Sequence, residues 1–398
     1  MRVLISGASV SGPLLAYWLN RYGFDVTVVE RAPSLRKTGG HGVDLFSPAM
    51  EIMDRMGLAE RVKAAETGTS SLVYRREGRR PVRVEMSRVF AAVSDRHVEI
   101  MRDDLSEILY EHTRHDVEYV FGDSIAEITG DGEVRFDSGS ARRFDLVVGA
   151  DGLHSNTRRL TFGQVREEWI GAYLAVASVP DHLGLDGEMD TTIRPGRMAG
   201  IYSSRTLPDA RALFLFSTDE PLDYHYRDVD RQRELLREAF AGMGGNVPKL
   251  VDAAARAEVF YFDEISQLRM DTWSRGRVTL VGDAAYCPGP AVGGSTSLAV
   301  VGAYVLAGEL AANGGDHERA YPAYEKEIFA YVQRSRAMAL KGVRRVIPRT
   351  RSDVLALTTT LRLVNVLPLA VNRALARLGS GTMRPHDGVV VKDYRFTG

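Results

Sequence analysis

The chain opens on a short apolar run, Val3-Leu4-Ile5-Ser6, that stops at Gly7, and then places Leu14, Leu15, Trp18, Leu19 and Tyr22 at helical spacing. A β-branched run follows, Asp25-Val26-Thr27-Val28-Val29-Glu30, and closes on an acid. Strand, turn, helix and strand within about thirty residues make a βαβ unit, the start of a parallel sheet. Residues 48–66 and 103–113 carry the period of amphipathic helices. Leu72–Tyr74 and Val82–Glu85 flank a polar turn at Arg75–Arg80 and predict a hairpin outside that sheet. Phe144–Gly149 and Val278–Gly282 read as two further buried strands, each ending in glycine close to an aspartate. Between them, residues 166–270 hold strand-like Tyr173–Val179 and Ala212–Ser217 and a helix at 230–242, the pattern of an inserted antiparallel layer. The stretch from Asp353 to Leu378 is rich in Leu and Val but is broken by Arg362, Asn365, Pro368 and Arg373. It reads as a pair of amphipathic helices covering the body, with a membrane-surface role as the other reading, and is a poor membrane span.

Composition narrows the class. With 398 residues, 44% hydrophobic and 26% charged, the chain exceeds the usual single-domain size, so two domains sharing one site are expected. The 51 basic and 52 acidic residues leave a formal charge of −1, with no excess field to gather nucleic acid or anionic lipid. Only six of the basic residues are lysine, and the arginines read as solvated surface balanced by acids. The single cysteine, Cys287, excludes an intrachain disulfide and a thiolate-rich metal centre, and favours a reducing cytoplasm. His112 and His115 have no evident third ligand, so no metal is expected. The first residues belong to a strand and not to a signal peptide.

Three motifs carry chemistry. Gly7-Ala8-Ser9-Val10-Ser11-Gly12 lies between a strand and a helix, and Glu30 ends the next strand. Gly7 permits the tight turn, Gly12 lets helix and strand approach, and the helix start offers N–H groups to a pyrophosphate while Glu30 accepts ribose hydroxyls. Ser9 stands where such turns usually have a second glycine, and its hydroxyl is small enough to donate to phosphate. Asp145-Leu146-Val147-Val148-Gly149-Ala150-Asp151-Gly152 and Gly276–Ala285 each put a carboxylate, Asp151 and Asp283, just past a strand's carboxyl end, where open α/β sheets bind ligands. Asp283 suits a sugar-alcohol chain such as ribityl; a helix cap is the plainer role for either Asp. After Asp283 a loop containing Pro290, Gly293 and Gly294 feeds a helix from Leu298 to Leu310, with Ser295, Thr296 and Ser297 as candidate N-caps. Backbone N–H groups there stabilise negative charge, and the glycines let a flat ring approach.

The glycine motif with Glu30-Arg31, the Met101-Arg102-Asp103-Asp104-Leu105 segment, Asp151-Gly152 and Gly282-Asp283-Ala284-Ala285 together resemble the class A flavoprotein monooxygenases, the family of para-hydroxybenzoate hydroxylase, polyketide hydroxylases and tetracycline-oxidising enzymes. The match spans roughly residues 1–340 in motif order. It implies an α/β protein: a GR2-type FAD-binding Rossmann-like domain (1–67, 99–165 and 271–320), an inserted antiparallel-sheet substrate domain (68–98 and 166–270) and C-terminal helices (321–398). It also implies that Arg31 and Arg102 reach FAD, that Asp151-Gly152 serves FAD and NADPH or NADH, and that Asp283 holds the ribityl or pyrophosphate region. Two departures touch the ring loop: Tyr286 replaces the usual His, and Gly293-Gly294-Ser295 with Ser297 replaces a Gly-Gln-Gly turn with a following Asn. His41, in Gly39-Gly40-His41-Gly42-Val43-Asp44, lies in the segment that resembles the ring-side loop and is the one acid–base candidate, because imidazole titrates near neutrality. The implied activity is NAD(P)H-consuming hydroxylation of a small aromatic or polyketide-like substrate by molecular oxygen through a flavin hydroperoxide. The alternatives are an FAD-dependent reductase or dehydrogenase, or a non-catalytic flavin-binding protein. Trp18, Trp169 and Trp273 are isolated, without the Trp-x-Trp-x-Ile-Pro segment of a flavin halogenase. Tyr173, Tyr202, Phe214 and Phe216 are candidate substrate-lining aromatics and equally candidate core.

Overall fold

The computed structural model describes residues 1–35, 40–94, 96–289, 294–368, 370–372 and 389–394. The opening unit forms as β1 (Arg2–Ser6), α1 (Ser11–Arg21) and β2 (Asp25–Glu30), with Pro13 in the first turn of the helix, where no intrahelical N–H bond is lost. Next come β3 (Gly42–Phe46), α2 (Ser47–Arg55) and α3 (Ala59–Ala64). The single helix expected over 48–66 is thus two. Gly57, with φ +72°, reverses the chain after α2, and its N–H and that of Leu58 take the Asp54 and Met53 carbonyls.

The hairpin β4 (Ser71–Arg75) and β5 (Val82–Glu85) leads through α4 (Met86–Val93) to β6 (His97–Met101), α5 (Arg102–Thr113) and β7 (Glu118–Phe121). A meander of β8 (Ile125–Ile128), β9 (Glu133–Phe136) and β10 (Ala141–Arg143) precedes β11 (Leu146–Gly149) and α6 (Asn156–Phe162). The middle of the chain builds β12 (Arg166–Val179), β13 (Glu188–Arg194), β14 (Arg197–Ser203), β15 (Ala210–Ser217), α7 (Val229–Phe240), α8 (Val247–Arg256) and β16 (Phe260–Arg269). It ends with β17 (Ser274–Arg275), β18 (Val278–Leu280), α9 (Asp283–Tyr286), α10 (Ser295–Ala312), α11 (His317–Val346) and α12 (Arg351–Val366).

The fold is mixed α/β. A six-stranded sheet runs β17-β18-β11-β1-β2-β7, parallel except at β17. Alternate residues divide its faces: Val3, Ile5, Val26 and Val28 join the large core with α1 and α10, while Leu4, Val29 and Val147 pack on the β8–β10 meander. α10 is the one described helix long and apolar enough to cross a membrane, yet 78% of it is buried here among α1, α2 and α11.

The second large sheet has the order β16-β12-β15-β14-β13-β4-β5. It is antiparallel except where β13 meets β4 in parallel; between these two strands the chain crosses to the other sheet and adds β7 and β11. One face, with Tyr173, Phe214, Phe216 and Phe262, packs on α7 and α8. The other, with Leu174, Leu215, Ile265 and the half-buried Tyr74, Leu213 and Tyr261, meets the end of α11 at Val343 and Ile347.

Candidate functional site

The sequence motifs converge at the carboxyl edge of β1, β11 and β18. Gly7 has φ +109°, and a Cβ on it would lie 2.5 Å from the Ala150 carbonyl oxygen; a Cβ on Gly12 would overlap the Gly7 carbonyl. Glycine is therefore required for the first motif to touch the second and for α1 to start directly above its own turn. No side chain caps that start and no acid lies in its first turn, so the helix end keeps its attraction for an anion. Ser9 is exposed, with its hydroxyl 3.3 Å from that of Ser106 on α5. Glu30 holds the turn by accepting from Ala8 N–H at 2.9 Å and from Ala32 N–H at 2.8 Å, and Arg31 next to it is exposed.

The Asp151 carboxylate is engaged within the protein. It accepts from Ser155 Oγ at 2.5 Å and from both the N–H and the hydroxyl of Thr157 at 2.9 Å, and so fastens the start of α6 to the end of β11. Gly152, at φ +79°, faces open space.

Arg102 and Asp283 behave differently. The Arg102 Nε is buried without a hydrogen-bond partner, and its nearest carboxylate is Asp103 at 3.8 Å. Asp283 keeps part of its surface open while the surrounding protein density raises its carboxyl above the ordinary range; the Cys287 thiol and the Arg102 charge oppose that rise only in part. A half-buried arginine with an unmade hydrogen bond at Nε and a half-buried, desolvated carboxylate close enough to feel its charge are groups suited to a polar ligand. Cys287 is itself buried, and desolvation holds it as a thiol.

His41 is the apex of a loop tied on all sides. Asp103 accepts from Gly40 N–H at 2.7 Å, Arg211 Nε donates to the Gly40 carbonyl at 3.1 Å, Arg102 N–H donates to the His41 carbonyl at 3.0 Å, and Gly42 N–H donates to Tyr202 Oη at 2.9 Å. Tyr202 and Arg211 are cross-strand neighbours on β14 and β15, so the large antiparallel sheet grips this loop with one pair of side chains. Burial first, then the Arg102 charge, pushes His41 down to about 4, away from the neutral range where an imidazole exchanges protons readily.

The α10 helix begins at Ser295, one turn ahead of the expected Leu298, and its N-cap is Gly294 in the left-handed conformation (φ +88°), with no side-chain cap. Ser297 is instead used across the fold: it accepts from Phe46 N–H at 2.9 Å and donates to the Asp44 carbonyl at 3.1 Å, which fixes the helix start to β3. Pro290 and Gly293 lie outside the described residues. Tyr286 points into the core, against Trp273 and Tyr324, with its hydroxyl where a Cβ on Gly302 would be. Of the four aromatics singled out, Tyr173, Phe214 and Phe216 are core on the α7–α8 face, and Tyr202 holds the loop. The half-buried aromatics on the opposite face are Tyr74 and Tyr261, whose alternation with their neighbours was the only available signal. Of the loop-holding residues, Arg211 was missed by pattern reading, while Tyr202 and Asp103 were named there for other roles, as a lining or core aromatic and as part of the Met101–Leu105 motif.

A parallel sheet with a glycine turn under a helix start, an arginine with an unmade Nε hydrogen bond and a half-open carboxylate define a dinucleotide-cofactor cleft, and the donor set suits the phosphates and hydroxyls of FAD. Known proteins agree. The FAD binding domain family matches residues 1–336. An uncharacterized protein of Mycobacterium tuberculosis (strain H37Rv) is 43% identical over 340 residues, 84% of this chain and 91% of its own. A flavin-dependent monooxygenase of Legionella longbeachae is 35% identical over 340 residues, 83% of this chain and 86% of its own. The crystal structure of the tetracycline destructase Tet(55) superposes with a TM-score of 0.84 at 32% identity, covering 98% of each chain. The chain belongs to the class A flavoprotein monooxygenases: it is an FAD-dependent oxidoreductase.

Proposed function

We propose that this enzyme draws its electrons from NADPH or NADH and hydroxylates a small aromatic or polyketide-like substrate between the cofactor loops and the Tyr74–Tyr261 face of the large sheet. The observation that carries the reading is the pairing of two polar groups, the unpartnered Arg102 Nε and the desolvated Asp283 carboxylate, with a half-open apolar face bearing Leu213 and Tyr261. A polar cofactor edge beside an apolar substrate wall is the chemistry that a hydroxylase of ring compounds needs. FAD, when bound, supplies the two-electron redox step and oxygen activation.

The chain's own residues bind and orient. The Gly7–Gly12 turn with Ser9, Glu30 and Arg31 holds the adenosine diphosphate part, and Gly152 leaves room beside it. Asp151 acts by fixing the turn that contains Gly152. Arg102 and Asp283 hold the middle of the cofactor, and the start of α10 at Gly294 and Ser295 offers backbone N–H groups to the ring. His41, uncharged at neutral pH, serves as a neutral hydrogen-bonding group at the ring side. In the same proposal, 1–67, 99–165 and 271–320 form the cofactor part, 68–98 and 166–270 the substrate part, and the buried Cys287 thiol suits a reducing cytoplasm.

The test is oxidation of NADPH and NADH, with oxygen uptake, against phenols, polyketides and tetracycline, the last chosen because Tet(55) is named a tetracycline destructase. At least one compound should accelerate both signals and yield a product heavier by one oxygen. Oxidation rates indifferent to every compound, with no such product, would count against the substrate class.

A further inference from the structure

Four of the eleven exposed large apolar side chains among the described residues fall in one short stretch, Leu355, Leu363, Val366 and Val371. The first three belong to α12, a helix that packs against β5, α4 and β13 through Val354 and Thr358. At 100° per residue, Leu355, Thr359, Arg362, Leu363 and Val366 lie within an arc of about 100°, so the exposed residues form one outward stripe about 16 Å long. Val366 is 81% exposed, Leu355 56% and Leu363 50%.

The fold surrounds this stripe with arginine. Arg362 stands on it, and the Arg75–Arg80 hairpin comes close enough that, after partial burial, the charges of Arg362 and Arg79 also lower the Arg76 guanidinium from its usual range. Arg88 donates to the carbonyls of Asn365 at 3.1 Å and Leu367 at 3.5 Å, which puts a further cation at the helix end, and Asn365 Nδ2 donates to the Arg83 carbonyl. Among the described residues none of Arg76, Arg79, Arg80, Arg88 and Arg362 has an ion-pair partner, whereas Arg75 and Arg83 are neutralised by Asp190 and Glu188. The chain as a whole carries a charge of −1, so this is a local gathering that composition conceals.

We propose that α12 with the β4–β5 hairpin is a docking surface for an anionic lipid bilayer. Exposed Leu and Val between unpaired arginines match a surface that offers acyl chains beneath negative headgroups. Duplex nucleic acid gives the aliphatic side chains nothing to bury. A folded protein partner would be held by aromatic anchors in a shaped pocket, and this convex stripe has neither.

The test is co-sedimentation of the full-length, FAD-loaded protein with vesicles of phosphatidylglycerol and phosphatidylcholine in equal parts, or of phosphatidylcholine alone. Wild-type protein should pellet with the anionic vesicles, not with the neutral ones, and should be released by high salt. Arg79→Gln with Arg362→Gln should weaken partitioning about 25-fold, roughly fivefold per arginine. Leu363→Ser with Val366→Ser should also abolish pelleting, while the flavin absorbance and thermal unfolding of all variants stay at wild-type values because the altered side chains are exposed. Failure of the wild type to bind anionic vesicles at low salt would overturn the proposal, as would binding that ignores the Leu363 and Val366 changes or that is matched by duplex DNA.

Discussion

Arg211 on β15 and Gly40 in the loop before β3 are joined by one hydrogen bond, from guanidinium Nε to carbonyl oxygen at 3.1 Å, in a place where Arg211 is only 2% exposed. The same guanidinium donates to Asp209 at 2.7 Å. Arg211→Ala leaves both acceptors unsatisfied and should cost about 1–3 kcal/mol of stability. Because the loop it holds lies beside Arg102, FAD affinity should fall as well, with Arg211→Lys intermediate. Thermal unfolding and FAD titration read the two effects separately; a variant with lowered Tm but unchanged FAD affinity contradicts the loop-holding role.

Asp283→Asn separates cofactor binding from folding. Desolvation raises this carboxyl, which means that the unliganded fold tolerates the charge poorly. The amide removes that cost, so the apo-protein should be as stable as wild type or more so at neutral pH, while FAD binding weakens by about 1–3 kcal/mol through loss of charge-assisted hydrogen bonds. Calorimetry of the apo-protein with FAD titration checks both. A variant destabilised without cofactor, or one with wild-type affinity, would remove Asp283 from the site.

Gly302 and Tyr286 should be coupled. A methyl at Gly302 overlaps the Tyr286 hydroxyl in the core beneath α10, so Gly302→Ala should cost about 1–3 kcal/mol by overpacking. Tyr286→Phe removes the obstructing oxygen and should make the second substitution much cheaper, a positive coupling in a double-mutant cycle. Strict additivity would mean that the ring does not fill the space left by the glycine.

Much of this was legible in the chain. The β1–α1–β2 unit, the strands that carry Asp151 and Asp283, and the β4–β5 hairpin follow from periodicity and glycine placement, because those elements are set by local sequence. What failed depended on tertiary context. The 48–66 helix kept its apolar period across Gly57, and only the backbone reversal there separates α2 from α3. Ser295–Ser297 offered caps, but a left-handed Gly294 starts the helix and Ser297 is used by β3 instead. On β15 the aromatics Phe214 and Phe216 alternate with Leu213 and Leu215, and sequence alone does not say which parity faces the cleft. The grip on His41 joins residues over 170 positions apart, beyond any local pattern.

His41 gives a pH prediction. Its folded value is depressed to about 4 from an ordinary 6.5, so the unfolded chain binds the proton more readily. Stability from this group is fully present above pH 6.5 and is lost as pH falls through the folded value near 4. His41→Gln should flatten the decline in Tm across that window without changing it above pH 7 or so. Parallel Tm curves for the two proteins would show that His41 is not held neutral.

The proposed function requires that one atom of molecular oxygen end up in a small ring substrate bound in this cleft. The direct measurement is turnover under isotopically heavy oxygen gas in ordinary water, with NADPH or NADH and whichever phenol, polyketide or tetracycline stimulates oxygen uptake. The predicted result is one heavy oxygen atom in the product, with one reduced coenzyme consumed per product formed; a product labelled from water, or hydrogen peroxide as the sole fate of the oxygen, would contradict it.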